Sequence, residues 1–203
     1  MKFILKATLF CLLLVSLVWF GSVLADRESL SEDIIRLHVV ANSDSEEDQS
    51  IKLKVRDAIV ERLDDIMKKL PTAKEARAYI LEHLQELETL ANKVLKEVGS
   101  LDQARITLTE ECFDTRQYET FSLPAGVYES LRVTIGAGEG HNWWCVVFPT
   151  LCSGATTEEF VDTAATSGFE KPLTGALEGE KTYEIRFFLL DWLGRVQNFF
   201  HRN

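Results

Sequence analysis

The sequence predicts an α+β fold: a mixed or antiparallel sheet of four to five strands, covered on one face by an α-helical hairpin and a C-terminal amphipathic helix. Three observations predict it. Apolar residues recur every three or four positions in two consecutive runs between Ile51 and Val98, the period of helices that bury one face. Segments near residues 34–40, 104–108, 131–135 and 142–148 alternate in polarity or are continuously β-branched and aromatic, as strands are. A last run, from Ile185 to Phe199, returns to helical spacing. With 203 residues, 46% of them apolar, one domain with a substantial core is expected.

The N-terminus sets the compartment. Lys2 and Lys6 precede an uncharged, mostly apolar run from Ala7 to Ala25. Val23-Leu24-Ala25 then offers small residues at the −3 and −1 positions of a cleavage site, ahead of Asp26-Arg27-Glu28. This is the pattern of a secretory signal peptide over residues 1–25. The same run is long enough to cross a bilayer as an N-terminal membrane anchor. In both cases the lysines stay inside and residues 26–203 form a single extracytoplasmic domain. The formal net charge is −10, with no basic cluster, which argues against nucleic acid and against anionic lipid as partners. Cleavage removes two lysines and no acid, leaving 20 basic against 32 acidic residues, or −12.

The first strand is Ile34 to Val40, with Ile35, Leu37 and Val39 on one face and Arg36 and His38 on the other. An acidic turn, Ala41 to Gln49, follows. Ser43 with Glu46 fits a capping box, and Ser45 with Asp48 a looser one. The turn lacks the glycine and the distal glutamate of a calcium loop. The first helix carries Ile51, Val55, Ala58, Ile59, Leu63, Ile66 and Leu70 on its apolar face. Pro71 ends it, and Thr72 with Glu75 starts a second helix. Ala76, Ile80, Leu84, Leu87, Ala91, Val94 and Val98 lead that helix to Gly99, a natural residue for closing it. Short connection and matched lengths predict an antiparallel hairpin.

Past Gly99 the period changes to two. Ala104, Ile106 and Leu108 form one strand, Arg116 to Leu123 an extended stretch, and Leu131, Val133 and Ile135 another strand. Gly136, Gly138 and Gly140 invite a nucleotide reading, but a dinucleotide fingerprint needs a helix after the glycines. Here Asn142-Trp143-Trp144-Cys145-Val146-Val147-Phe148 follows, a strand stopped by Pro149. Its two tryptophans point to opposite faces. The first expectation is a central strand of the core, the second a ring offered to a partner. Cys11 belongs to the signal segment, so Cys112, Cys145 and Cys152 remain. In an oxidising space Cys145–Cys152 is the local choice of disulfide if the chain reverses near Pro149. No metal ligand set is apparent: His141 and Cys145 are close, without the paired cysteines of a zinc site.

Residues 153–181 are rich in Gly, Thr, Ser, Ala and Glu and predict a flexible surface loop. In the final helix, Ile185, Phe188, Leu189, Trp192, Val196 and Phe199 share a stripe, expected to pack on the sheet or to be offered to a partner helix or membrane. Arg36, His38, Arg56 and Asp57 are expected to form a polar cluster where the first strand meets the first helix. Asn142, Trp143 and Trp144 complete the candidate partner-binding residues. No catalytic residue and no cofactor is assigned. The competing enzyme reading is an extracytoplasmic cysteine-dependent hydrolase, with Cys145 as nucleophile and His141 or His38 as base.

Two blocks resemble a known family. Ile35 to Ser45, Asp48-Gln49 and Lys52 to Ala58 are similar to the opening block of the stage II sporulation protein R family. Leu123 to Tyr128, Leu131 to Gly136 and Gly140 to Cys152 resemble its second block, in which Asn-Trp-Trp-Cys is highly specific. Thr150 and Ser153 depart from the family pattern, which has proline and an aromatic there. The resemblance implies a non-enzymatic signalling protein of endospore formation, made in the forespore and exported between the septal membranes. It implies as partner a membrane-embedded aspartic protease, stage II sporulation protein GA, which then processes pro-sigma-E in the mother cell.

Overall fold

A computed structural model describes residues 2–118, 121–152, 171–181 and 184–202. Its strands are β1 (Ile35–Val40), β2 (Ala104–Phe113), β3 (Arg116–Gln117), β4 (Ser122–Leu123), β5 (Gly126–Ile135) and β6 (Asn142–Phe148). Its helices are α1 (Lys2–Asp33), α2 (Glu46–Met67), α3 (Ala73–Glu97), α4 (Lys171–Glu178) and α5 (Glu184–Arg202). The architecture is the predicted mixture of sheet and helix. Four strands form a mixed sheet in the order β2-β5-β1-β6, with β1 parallel to β5 and the other pairs antiparallel. β3 and β4 pair as a small separate ribbon, shorter than the extended stretch the sequence suggests.

The helical hairpin forms as its caps dictate. Ser45 Oγ accepts from Asp48 N at 3.1 Å, and Thr72 Oγ1 from Glu75 N at 3.3 Å. The looser of the two predicted boxes therefore starts α2, because Ser43 is engaged elsewhere: its hydroxyl donates to the Asp48 carboxylate. Gly99, at φ +78°, turns the chain out of α3, a conformation that glycine adopts without steric cost. Ile51, Val55, Ile59 and Leu63 of α2 join Ile80, Leu87 and Ala91 of α3 over Ile35, Leu37, Val39, Leu131 and Val133 of the sheet.

The C-terminal helix does not join the hairpin on that face. Leu190 of α5, Leu173 and Leu177 of α4 and Val23 and Leu30 of α1 pack with Phe113, Tyr128 and Val146 on the opposite face, giving three layers. The reason is β5, which is buried on both sides except at a few positions. Leu131, Val133 and Ile135 fill its hairpin side, and on the other side Tyr128, with Phe113 of β2 and Val146 of β6, makes an apolar patch that needs cover of its own. Lys171–Glu178 is helical although it falls within the predicted loop, because Leu173, Ala176 and Leu177 supply a buried side three and four residues apart. Residues 153–170 of that predicted loop lie outside the described residues.

The orientation of α5 is also a correction. Arg186, Leu190, Gly194 and Asn198 face inward, while Ile185, Phe188, Trp192, Phe199 and Phe200 are exposed. Polar groups hold the inward side. The Arg186 guanidinium pairs with the buried Asp26 carboxylate of α1, and Asn198 Nδ2 donates to Phe113 O at 2.8 Å. Asp191 accepts from Ala125 N at 2.9 Å and from the Thr115 hydroxyl. A Cβ at Gly194 would stand 1.5 Å from Ala125 O, so only glycine allows this approach.

α1 runs without interruption through Ala25 to Asp33. Beyond Lys6 its residues to Phe20 are exposed and mostly apolar, and the helix is long and apolar enough to cross a membrane by length and composition. Val23, Asp26 and Leu30 are buried in the body of the protein.

Candidate functional site

β6 lies at the edge of the sheet, not at its centre, and pairs only with β1 among the described strands. The register sets Trp143 opposite Val39, Trp144 opposite His38 and Cys145 opposite Leu37. The alternation of a strand then sorts the predicted residues into two groups. Trp143 and Cys145 look toward the hairpin; Trp144 looks toward the other layer.

On the hairpin side, the Arg56 guanidinium lies 4.2 Å from the centre of the Trp143 ring and bonds Asp57 through Nε at 2.8 Å. Arg56 and Asp57 therefore do not cluster with Arg36 and His38; a layer of the sheet separates them. Trp143 Nε1 is buried without a partner among the described residues. Cys145 is joined to Cys152 by a disulfide, across a turn that contains the cis Phe148–Pro149 bond.

On the other side, His38 is held at both ring nitrogens: Nδ1 lies 2.9 Å from Glu111 Oε2 and Nε2 2.8 Å from Asn142 Oδ1. Its ring stacks on Trp144, centres 5.5 Å apart. The Arg116 guanidinium sits 3.7 Å from the Trp144 ring centre. Arg132 Nη1 donates to Glu111 Oε1 at 2.5 Å. Burial pushes the Glu111 carboxyl up, but hydrogen bonds from His38 and Arg132 outweigh it and hold its pKa down to about 2. These groups surround a cleft of about 320 Å³ that Phe113, Asp114 and Arg202 also line.

Beneath the cleft, Arg36 is fully buried. Its Nη2 donates to Tyr118 Oη at 3.0 Å, and its Cζ lies 3.8 Å from the centre of Phe113 and 5.3 Å from that of Tyr128. Nε and Nη1 have no partner among the described residues. Desolvation lowers its pKa from the ordinary arginine value; aromatic faces supply part of the missing solvation.

The two resembling blocks meet at the end of this strand pair. Asn42 Oδ1 accepts from Ala137 N at 2.9 Å, and Asn42 Nδ2 donates to Asp48 Oδ2 at 3.1 Å. Lys52 Nζ donates to His141 O at 2.9 Å. A Cβ at Gly140 would stand 2.2 Å from Ser43 O. The glycine loop is thus packed against the acidic turn, where a phosphate would need open backbone amides.

The family described as Stage II sporulation protein R (spore_II_R) matches residues 31–158. Stage II sporulation protein R of Bacillus subtilis (strain 168) is 32% identical over 182 residues, 81% of each chain. The chain belongs to the stage II sporulation protein R family. No solved structure matches it. The matched region of this family member holds the whole sheet, the hairpin and the cleft's lining apart from Arg202; most of α1 and all of α4 and α5 lie outside it.

Glu111, Arg116, Arg132 and Tyr118 are the site residues that sequence reasoning missed. Arg132 and Glu111 each sit among period-two residues whose outward side reads as solvent, and only the sheet order brings β2, β5 and β1 side by side. For Arg116 the unusual company of Tyr118 and Phe121 was the one available signal.

Proposed function

We propose that this protein is an exported sporulation signal that works by being recognised. Residues 26–203 act as one extracytoplasmic domain in the space between the septal membranes. There they bind the membrane-embedded aspartic protease, stage II sporulation protein GA, and shift it toward the state that processes pro-sigma-E. Such activation requires only that the signal prefer the active state of its receptor. Family membership and the apolar N-terminal helix support the reading. The observation that carries it is the signature strand at a sheet edge, with Trp143 and Trp144 half-buried and each stacked with an arginine. Aromatic and arginine anchors are the usual hot spots of interfaces.

The hydrolase reading has less support. The Cys145 sulfur is in a disulfide and so is no thiolate, and it lies on the face opposite His38. His141 pairs with Asp44 at the surface. Replacing Trp144 by alanine in sporulating cells, with the protein's fold checked by its melting temperature, is expected to reduce pro-sigma-E processing. Normal processing by a chain with neither tryptophan would remove this strand as the contact. Normal processing by a chain retained in the forespore cytoplasm would end the signalling reading itself.

A further inference from the structure

The protein is acidic, yet the cleft beside Trp144 is not. Arg116, Arg132 and Arg202 line it together with His38, against the carboxylates of Glu111 and Asp114. Those carboxylates are already used. Glu111 is bound by His38 and Arg132, and Asp114 lies 3.6 Å from Arg202. Arg116 has no carboxylate partner among the described residues; it lies over Trp144. Directly behind Phe113, Arg36 is a second cation with no carboxylate partner among the described residues, fully buried and with two guanidinium nitrogens unpartnered among them. An unpaired buried cation is costly, and neighbouring cations without anions make it more so. Among the described residues, the site is short of negative charge.

We propose that the cleft receives a carboxylate side chain from an acidic segment of a protein partner, held by Arg116 and Arg132 against the floor formed by Trp144. This deepens the recognition reading and rests on it. Guanidinium groups suit the occupant: their planar donors match a carboxylate, and they stack on aromatic faces while doing so. The cleft, at about 320 Å³, admits a side chain and its neighbours.

The full chain in neutral-detergent micelles, titrated calorimetrically with hexaglutamate and with hexalysine, tests this. Hexaglutamate is expected to bind saturably and to weaken as salt is raised, and hexalysine is expected not to bind. Arg116→Glu, which removes one charge-assisted contact and adds a repulsive charge, is expected to weaken hexaglutamate at least about tenfold. Arg202→Glu, on the exposed last turn of α5, should weaken it in the same direction without disturbing the core. Undiminished binding to both variants, each melting like the unaltered chain, would overturn the inference. So would equal binding of the two peptides. If Arg116→Glu loses the peptide while sporulating cells process pro-sigma-E normally, the cleft is not the partner contact and the inference falls, though the signalling reading stands. If deleting the whole protein leaves processing normal, that reading falls on its own.

Discussion

Lowering the pH through the acid range should expose how much the Glu111 network holds together. Glu111 is depressed from an ordinary 4.5 to about 2. Taken at face value, a displacement of that size corresponds to about 3 kcal/mol. The side chain is 13% exposed, but the surrounding cleft is open, so screening reduces the figure to about 1–2 kcal/mol at physiological salt. The sign follows from the direction. A depressed carboxyl stabilises the folded state above its unfolded pKa and loses that contribution as pH falls through the folded one, here from about pH 5 down to about pH 2. Urea unfolding of the full chain in neutral detergent, at intervals across that range, measures it. The Glu111→Gln variant is expected to be about 1–2 kcal/mol less stable than the unaltered chain at neutral pH, with the gap closing toward pH 2. Other acids titrate in both chains and cancel in the difference. A gap that stays constant, or that widens as the pH falls, would refute the assignment of Glu111 as the charged centre of the network.

Four further outcomes are expected. Gly194→Ala should cost upwards of about 3 kcal/mol, seen as a lowered urea midpoint, because a Cβ there meets Ala125 O at 1.5 Å and backbone must move. Asp26→Asn should cost about 3–5 kcal/mol by the same measurement, since it strands the buried Arg186 guanidinium. Paired serine replacement of Cys145 and Cys152 should remove about 2–3 kcal/mol, the entropy of a short closed loop, and an intact-mass comparison with and without reductant under alkylation should report the bond directly. A chain beginning at Asp26 should unfold earlier than one beginning at Met1, by about 1.5–3 kcal/mol, because Val23 is buried in the body.

What the sequence made legible was whatever depends on near neighbours. The hairpin could be read because Ser45, Thr72, Gly99 and a three-to-four residue spacing are all local signals, and they agree. β1, β2, β5 and β6 were legible as strands for the same reason. Their order was not: nothing in a period-two pattern says that β1 will run parallel to β5 or that β6 will stand at the edge. The C-terminal helix shows the limit most clearly. Its apolar stripe, Ile185, Phe188, Trp192 and Phe199, reads as a buried face, yet the buried face is Arg186, Leu190, Gly194 and Asn198. That choice is made by partners distant in sequence: Asp26, Ala125 and Phe113. Arg36 and His38 were correctly placed on one face, but their burial depends on Phe113, Tyr118 and Tyr128, which only the assembled sheet supplies.

The Asn-Trp-Trp-Cys strand joins these levels, because each of its four residues answers a different demand. Asn142 meets His38 Nε2, so it fixes the imidazole against Glu111. Trp143 covers the hairpin side and carries Arg56. Trp144 covers the other side and lies against His38 and Arg116. Cys145 ties the strand to the turn that follows. Adjacent residues on a strand cannot share a face, so the motif reads outward to both layers at once, and replacements should separate accordingly. Changes at Trp143 are expected to act through the hairpin packing and to show mainly as stability. Changes at Trp144 are expected to act through the cleft and to show mainly as recognition. Comparing urea midpoints with pro-sigma-E processing for Trp143→Phe and Trp144→Phe measures the two effects together. If both variants lose stability and processing in the same proportion, the two faces are not functionally distinct, and the edge strand works only as scaffold.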